Sequence, residues 1–301
     1  FNRYGFFRCS TSFYNRPYKN IYTDEAIEKI NREFDGFILP LADFFREDQT
    51  QNISNLTRTI KKLTIPCVVV GVGLRAPYEY DISTDRLFDS AVKAFVSAIL
   101  ERSQCLGVRG ERTAAYLKKL GFNQDNYMVI GCPSMCMSAA GKGIQMKEIP
   151  RDLRNAKFGI ITNDLAPDHT NKILVEVIKQ HKDAQVIVQR TTEIIDIYFG
   201  TFANLATKFS KRKPESVYGK TLYRELLKTN RIHAFANINQ WRKNVNRLDI
   251  CLNERFHGTV ASILAGTPSI IIPIDSRTRE LVEYHKIPNI RPEMIQGGGY
   301  S

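Results

Sequence analysis

Short apolar runs alternate with helix-like segments along most of the chain, and this alternation constrains the fold more than any other feature. The runs FDGFILP, IPCVVVGVG and AQVIVQR are rich in β-branched and aromatic residues, as buried strands are. Segments such as ERTAAYLKKLG and NKILVEVIKQH have helical spacing of apolar residues. Strands that alternate with helices predict parallel α/β layers.

A polar stretch divides this pattern into two halves. SAAGKGIQMKEIPRDLRN contains the turn-forming residues Gly141, Gly143 and Pro150. We therefore predict two domains, residues 1–145 and 146–301, and a length of 301 residues favours the same number. In open parallel sheets, ligands bind beyond the carboxyl ends of the strands, so the residues that follow each predicted strand are the candidates for a site.

Three further segments have weaker patterns. In STDRLFDSAVKAFVSAILERS the apolar residues from Leu87 to Leu100 share one helix face, and we expect Ser83, Thr84 or Asp85 to cap the helix. Residues 196–210 are predicted to be helical. Residues 6–22 interleave aromatic and basic side chains, which fits either a packed N-terminal segment, the reading we favour, or an acceptor groove.

Charge and cysteine usage narrow the classes of function. A net charge of +12 suits anionic partners, but the basic residues are spread out and no nucleic-acid motif accompanies them, so we expect no nucleic-acid partner. Of six cysteines only Cys132 and Cys136 are close, without a second pair or a histidine cluster, so we expect no metal site. No apolar run approaches the roughly 18 residues of a membrane-spanning helix.

The segment NERFHG places Arg255 and His257 beyond the predicted strand DICLN, at the start of a helix. We expect Asn253 to cap this helix and Gly266 to end it. The amides and dipole at a helix start favour an anion, and an arginine adds a bidentate fork for phosphate or carboxylate. The imidazole of His257 can exchange a proton near neutral pH.

Gly258 follows directly and would let a ligand approach the backbone. The alternative is a basic turn without a ligand, in which Arg255 pairs with a carboxylate such as Glu254 and His257 caps a strand end. Spacing alone does not choose between these two readings.

Similar positions occur in the first half of the chain. Arg109 lies between a predicted strand and a helix, where it either binds an anion or pairs with an acid such as Glu111. Gly71 and Gly73 lack the rest of a dinucleotide fingerprint and predict a tight turn. Cys132 lies in a Gly-Cys-Pro turn, and because no base is evident beside it we favour a structural role.

These motifs occur in an order that resembles the polysaccharide pyruvyl transferase family. The order is VVVGVG, GVRGERTAAYLKKLGF, VIGCPS, NERFHGTVASILAGTPSIIIPID and YHKIP, spread over about residues 35 to 290. The resemblance implies an α/β fold of two Rossmann-like domains facing across a cleft, the GT-B arrangement. It also implies transfer of pyruvate from phosphoenolpyruvate onto a sugar as a cyclic ketal, during capsule, exopolysaccharide or cell-wall synthesis.

The resemblance also implies roles for residues of this chain. Its Arg-x-His motif falls on Arg255 and His257, and its first-domain arginine on Arg109. Where the family often has Arg-Asp, this chain has Arg109-Gly110, and the Gly-rich opening strand of the family is missing. We therefore expect the N-terminal domain to be truncated at its start, with divergence from the family pattern as the alternative.

Phosphoenolpyruvate is a co-substrate with a carboxylate and a phosphate, so its site needs fixed positive charge. Our hypothesis is that His257 protonates the enol carbon or the departing phosphate, with Arg255 as the second catalytic residue and no cofactor or metal. The other expected donor-binding residues are Arg109, Asn253, Gly258, Thr259, Gly71 and Gly73. The expected acceptor-binding residues are Arg75, Asn237 and Trp241.

Two other functions fit the same pattern. A glycosyltransferase of this fold would use the basic helix start for the diphosphate of a nucleotide sugar. A non-catalytic member would bind a glycan without turnover. An acceptor carried on a lipid diphosphate would account for the net charge of +12 and implies contact of a cytoplasmic protein with the inner membrane face.

Overall fold

The computed structural model describes residues 23–137, 143–163, 166, 168–189, 217–235, 237–291 and 294. The chain forms two compact units, one made of Phe1–Arg75 and Asp81–Ile130, the other of Ala76–Tyr80 and Gly131–Ser301. The boundary predicted after residue 145 falls inside the second unit, because Cys132 packs in its core beside Phe256. The segments 6–22 and 196–210, interpreted above, lie outside the described residues.

The first unit is built on parallel strands. Strands β1 and β2 pair in parallel, as do β3 and β4. The amides of Gly71 and Val72 donate to the carbonyl of Gly107 and so join the two pairs. The described elements are β1 (Phe37–Pro40), β2 (Cys67–Val70), β3 (Leu106–Val108), β4 (Tyr127–Val129), α1 (Asp24–Glu33), α2 (Thr50–Lys62), α3 (Asp89–Leu100) and α4 (Glu111–Lys119).

Helix α3 begins later than the sequence pattern predicts. Its N-cap is Phe88, without a side-chain cap, so the cap predicted at Ser83, Thr84 or Asp85 is wrong. The carboxylate of Asp81 accepts the amide of Ser83, and such local bonds compete with helix formation. Leu87, expected on the buried face, precedes the helix and is 83% exposed.

The second unit contains one sheet of five parallel strands in the order β7-β6-β5-β8-β9. On one side of β5 the sheet continues with β6 and β7, and on the other side it continues with β8 and β9. The described elements are β5 (Phe158–Ile161), β6 (Gln185–Val188), β7 (Ile232–Ala234), β8 (Ile250–Asn253), β9 (Ser269–Ile271), α5 (Asp168–Gln180), α6 (Lys220–Lys228), α7 (Ile238–Val245), α8 (Phe256–Leu264) and α9 (Ser276–His285).

The core of the second unit surrounds its central strand. All four residues of β5 are buried. Helices α5 and α6 cover the strands with Leu174, Ile178 and Leu226, while α8 and α9 form a separate apolar cluster that includes Val260 and Leu281. A strand buried along its whole length is typical of a parallel sheet.

The predicted fold class, α/β with two Rossmann-like domains, is confirmed by these parallel sheets. The strand order of the second unit places a topological switch point between β5 and β8, where ligands bind in folds of this kind. Among the helices of the described ranges, none is long and apolar enough to cross a membrane.

Candidate functional site

The candidate site lies at the switch point of the second unit, where β5 and β8 end side by side. Ile161 and Asn253 are paired as the last residues of these strands. Helix α8 follows β8 almost at once, with Arg255 as its N-cap and His257 in its first turn. The predicted position of both residues, beyond a strand and at a helix start, is therefore confirmed.

Arg255 is half-buried and oriented by the loop that follows β5. Its Nε donates a hydrogen bond to the carbonyl of Thr162 over 3.1 Å. The first turn of α8 contains no acidic residue, so its own side chains do not neutralise the positive end of the helix dipole. This combination of an oriented guanidinium and an uncompensated helix start favours an anion.

His257 is exposed. Its ring meets that of Phe256 edge to face, with 6.3 Å between the ring centroids. It belongs to α8 and does not cap a strand end, which removes one part of the ligand-free reading. An exposed imidazole in the first turn of a helix can reach an anion held at the helix start and exchange a proton with it.

Glu254 is the residue at this edge whose importance the sequence did not show. Its side chain is fully buried, and it accepts the amide N–H of Asn163 over 2.7 Å. Burial raises the pKa of its carboxyl to about 7, while hydrogen bonds from Thr170 and Asn163 and the charge of Arg255 act in the opposite direction. The signal in the sequence is an acid directly after a predicted buried strand, from which the local pattern predicts only a pairing with Arg255.

Asn253 does not cap α8, so this prediction is wrong. It is fully buried as the last residue of β8, and its amide nitrogen donates to the hydroxyl of Ser269 over 2.6 Å. The amide nitrogen thus bonds to strand β9, while Oδ1 lies near Gly258 of α8. Gly266 ends α8 as expected, with a φ of 76° after the C-cap Ala265.

Gly258 allows α8 to pack closely against neighbouring side chains, and donor binding by this residue stays a prediction. A Cβ atom at this position would lie 2.5 Å from Cδ1 of Ile161 and 2.7 Å from Nε2 of Gln189. On the side where a Cβ would lie, the space beside Gly258 is therefore filled by the protein itself. Thr259 is also fully buried, and its hydroxyl has no hydrogen-bond partner among the described residues.

In the first unit, Arg109 binds the tight turn that begins at Gly71. It is only 5% exposed, and its Nε donates to the carbonyl of Gly71 over 2.6 Å. Gly71 has a φ of 73°, which confirms the predicted tight turn, and Leu74 donates its amide to the hydroxyl of Thr113. These contacts give Arg109 a structural role and leave little of its guanidinium for the donor role that we expected.

The three residues expected to bind the acceptor have contacts of their own. Arg75 forms an ion pair with Asp43 over 3.4 Å. Asn237 caps α7 by accepting the amides of Asn239 and Gln240. Trp241 packs against an apolar cluster, and its indole N–H is buried without a partner in the described part of the chain. Acceptor binding by these residues stays a prediction.

Cys132 is buried, and its surroundings support the structural role. Its amide donates to Nε2 of His285 over 2.9 Å, and its sulfur lies 3.0 Å from the hydroxyl of Ser134. His285 is thus engaged by the backbone of Cys132 and also packs against the ring of Phe256. Within the described ranges no group of three or more His, Cys, Asp or Glu is placed to hold a metal ion.

The fold and site define an α/β protein whose second sheet presents an arginine and an exposed histidine at its switch point. The chain belongs to the polysaccharide pyruvyl transferase family, whose sequence profile matches residues 6–276. The chain is accordingly a transferase, and the resemblance seen in the sequence is confirmed. No curated protein sequence matches the chain.

Several solved structures are similar to the chain at low sequence identity. HepE from Anabaena, in complex with UDP and glucose, is 15% identical, with a TM-score of 0.45 over 90% of this chain and 69% of that one. MnaA from S. aureus with UDP is 12% identical, with a TM-score of 0.48 over 90% and 68%. UDP-GlcNAc 2-epimerase from Methanocaldococcus jannaschii is 13% identical, with a TM-score of 0.47 over 89% and 68%.

Proposed function

We propose that this protein transfers pyruvate from phosphoenolpyruvate to two hydroxyls of a sugar, forming a cyclic ketal and releasing phosphate. The observation that carries the proposal is the placement of Arg255 and His257 at the start of α8, at the switch point of the second sheet. Family membership supports the reaction class. The donor needs fixed positive charge, which an oriented arginine and free helix amides supply.

The proposed reaction conserves atoms and charge. A proton adds to C3 of the donor, which becomes a methyl group, and C2 develops the character of an oxocarbenium ion. Two sugar oxygens bond to C2 while its bond to the phosphate oxygen breaks. One of the two hydroxyl protons balances the proton taken up at C3, and the other leaves with phosphate.

Two residues have direct roles in this scheme. His257 is exposed and adjoins the anion-favouring helix start, so it acts as the acid that protonates C3 or the departing phosphate. Arg255 binds the donor phosphate or carboxylate, and the carbonyl of Thr162 orients its guanidinium. Phosphoenolpyruvate is a co-substrate here, and the scheme requires no metal ion.

The acceptor side of the proposal rests on family membership and on charge. A saccharide acceptor suits the family, and a lipid-diphosphate carrier suits a net charge of +12. The cytoplasmic location, the contact with the inner membrane face and the role in capsule, exopolysaccharide or cell-wall synthesis remain predictions.

The test is release of inorganic phosphate from phosphoenolpyruvate, with and without a pool of lipid-linked saccharides. We expect saccharide-dependent release that His257→Ala abolishes, while Lys182→Ala, an exposed substitution elsewhere in the second unit, leaves it unchanged. Nucleotide sugars are compared with phosphoenolpyruvate for thermal stabilisation of the protein. Stabilisation by a nucleotide sugar alone would favour a glycosyltransferase, and binding without phosphate release would favour a non-catalytic glycan-binding protein.

A further inference from the structure

Glu254 connects the two chain segments that meet at the switch point. Its backbone amide donates to the carbonyl of Ile161, and its carboxylate accepts the amide N–H of Asn163. The next residue, Arg255, donates from Nε to the carbonyl of Thr162. Consecutive residues after β8 therefore bind three consecutive residues at the end of β5, so Glu254 and Arg255 are held in a fixed relation.

The buried carboxyl is only partly satisfied. Thr170 and Asn163 hydrogen-bond to it, but Oε1 is buried and has no partner among the described residues. An ionised carboxylate with an unpartnered, desolvated oxygen is costly, whereas a neutral acid is tolerated there. The same conclusion follows from the burial that raises the pKa of this group to about 7.

Among the described residues, charged or titratable groups lie near Glu254 on both segments. Arg255 is the charged neighbour that acts on its carboxyl. The first turn of α5, which reaches Glu254 through Thr170, also contains the titratable residues Asp168 and His169. When the carboxyl is neutral, it does not offset the positive charge that Arg255 presents to an incoming anion; when it ionises, it cancels part of that charge.

We propose that Glu254 is a positioning residue that controls how strongly Arg255 binds an anionic donor. While the carboxyl of Glu254 is protonated, Arg255 binds the donor. Once that carboxyl is ionised, donor binding is weaker. This inference rests on the proposed function, since it takes the anion at Arg255 to be the donor. The affinity of the site for the donor therefore depends on pH, and the ionisation of Glu254 is the cause. Linkage requires the reverse effect as well, so donor binding draws a proton onto Glu254.

The experiment measures the Kd of phosphoenolpyruvate, and separately of inorganic phosphate, by calorimetry at pH 6, 7, 8 and 9. Glu254→Gln keeps the size of the side chain and stays neutral throughout. The ratio of wild-type to variant Kd cancels the ionisation of the ligand itself. We expect a ratio near unity at pH 6 that rises about tenfold by pH 9.

Glu225→Gln is the matched control, because Glu225 is an exposed acid of α6 that pairs with Arg231. Its Kd should follow that of the wild type at every pH. A second measurement does not depend on the folding of a variant: binding by the wild type at pH 8, in buffers of different ionisation enthalpy, should take up a substantial fraction of one proton.

The outcomes separate this inference from the proposed function. A Kd ratio for Glu254→Gln that is the same at all pH values, or no proton uptake, overturns the role of Glu254 while donor binding stands. The expected ratio without any phosphate release supports the role of Glu254 and contradicts the proposed reaction. Failure of the wild type to bind either ligand at any pH overturns both.

Discussion

The loops after β3 and β8 share one pattern and differ in what they do with it. Each places an arginine after a buried parallel strand and before a helix, Arg109 ahead of α4 and Arg255 ahead of α8. Arg109 is 5% exposed and its Nε binds the carbonyl of Gly71, whereas Arg255 is half-buried beside an exposed His257. The same local sequence pattern thus gives one arginine a structural contact and leaves the other at an accessible edge.

The helices that follow these arginines explain the difference. The first turn of α4 contains Glu111, a negative charge that already complements the helix dipole. The first turn of α8 contains no acid, and the acid beside Arg255 is Glu254, which is buried and whose pKa burial raises to about 7. A helix start without its own countercharge is the better site for an external anion.

Loss of the histidine should have the largest effect. We expect His257→Ala to lower the rate of phosphate release from phosphoenolpyruvate by about 10²- to 10⁴-fold, the usual contribution of a general acid. Because the side chain is exposed, its removal should change the free energy of unfolding by less than about 0.5 kcal/mol. Near-wild-type turnover by this variant would contradict the catalytic role of His257, and with it the functional difference between the loops after β3 and β8.

Neutralising the buried acid should change the pH dependence of stability. In the folded protein the pKa of the Glu254 carboxyl is about 7, above its ordinary value of 4.5. Between these values the unfolded chain releases a proton that the folded chain holds, so wild-type stability falls as the pH rises from 4.5 to 7 and is level above. Glu254→Gln lacks this loss.

Urea unfolding at pH 5 and pH 8 measures this effect. The stability of Glu254→Gln relative to the wild type should increase by about 2 to 3 kcal/mol between these pH values. Glu225→Gln should show no comparable increase, since its carboxylate is exposed. A constant difference between Glu254→Gln and the wild type would mean that the carboxyl is ionised in the folded state.

Replacement of the first-unit arginine should affect stability more than donor binding. Lysine cannot reproduce the bond from Nε of Arg109 to the carbonyl of Gly71, and an unpaired buried carbonyl costs about 2 kcal/mol. We expect Arg109→Lys to lower the Tm, measured by thermal unfolding. An unchanged Tm together with weaker donor binding would restore the donor role that the sequence predicted for this residue.

Much of the fold could be predicted because its signals are local. The strand DICLN, the helix after NERFHG and the glycine at its end follow from periodicity and turn chemistry, and all three occur. The late start of α3 could not be predicted from the apolar period, because Asp81 and Ser83 form a local turn instead.

The candidate site depended more on non-local contacts. The sequence identified Arg255 and His257 as a pair, but not that β8 lies beside β5, which creates the switch point. The burial of Glu254 follows from its bond to Asn163, 91 positions earlier in the chain, and the contacts of Asn253 and Gly258 also come from distant strands. Local sequence patterns do not reveal such contacts, because the partners are far apart in the chain.

The central claim is that the start of α8, and not that of α4, binds the donor. The most direct measurement is the KM for phosphoenolpyruvate in phosphate release by Arg255→Lys and Arg109→Lys, compared at a temperature where both variants are folded. Loss of the fork at Arg255 should raise the KM about 10- to 100-fold, while Arg109→Lys should stay within about twofold of the wild type, since Arg109 is buried against Gly71. An unchanged KM for Arg255→Lys, or an equal rise for both variants, would contradict the account.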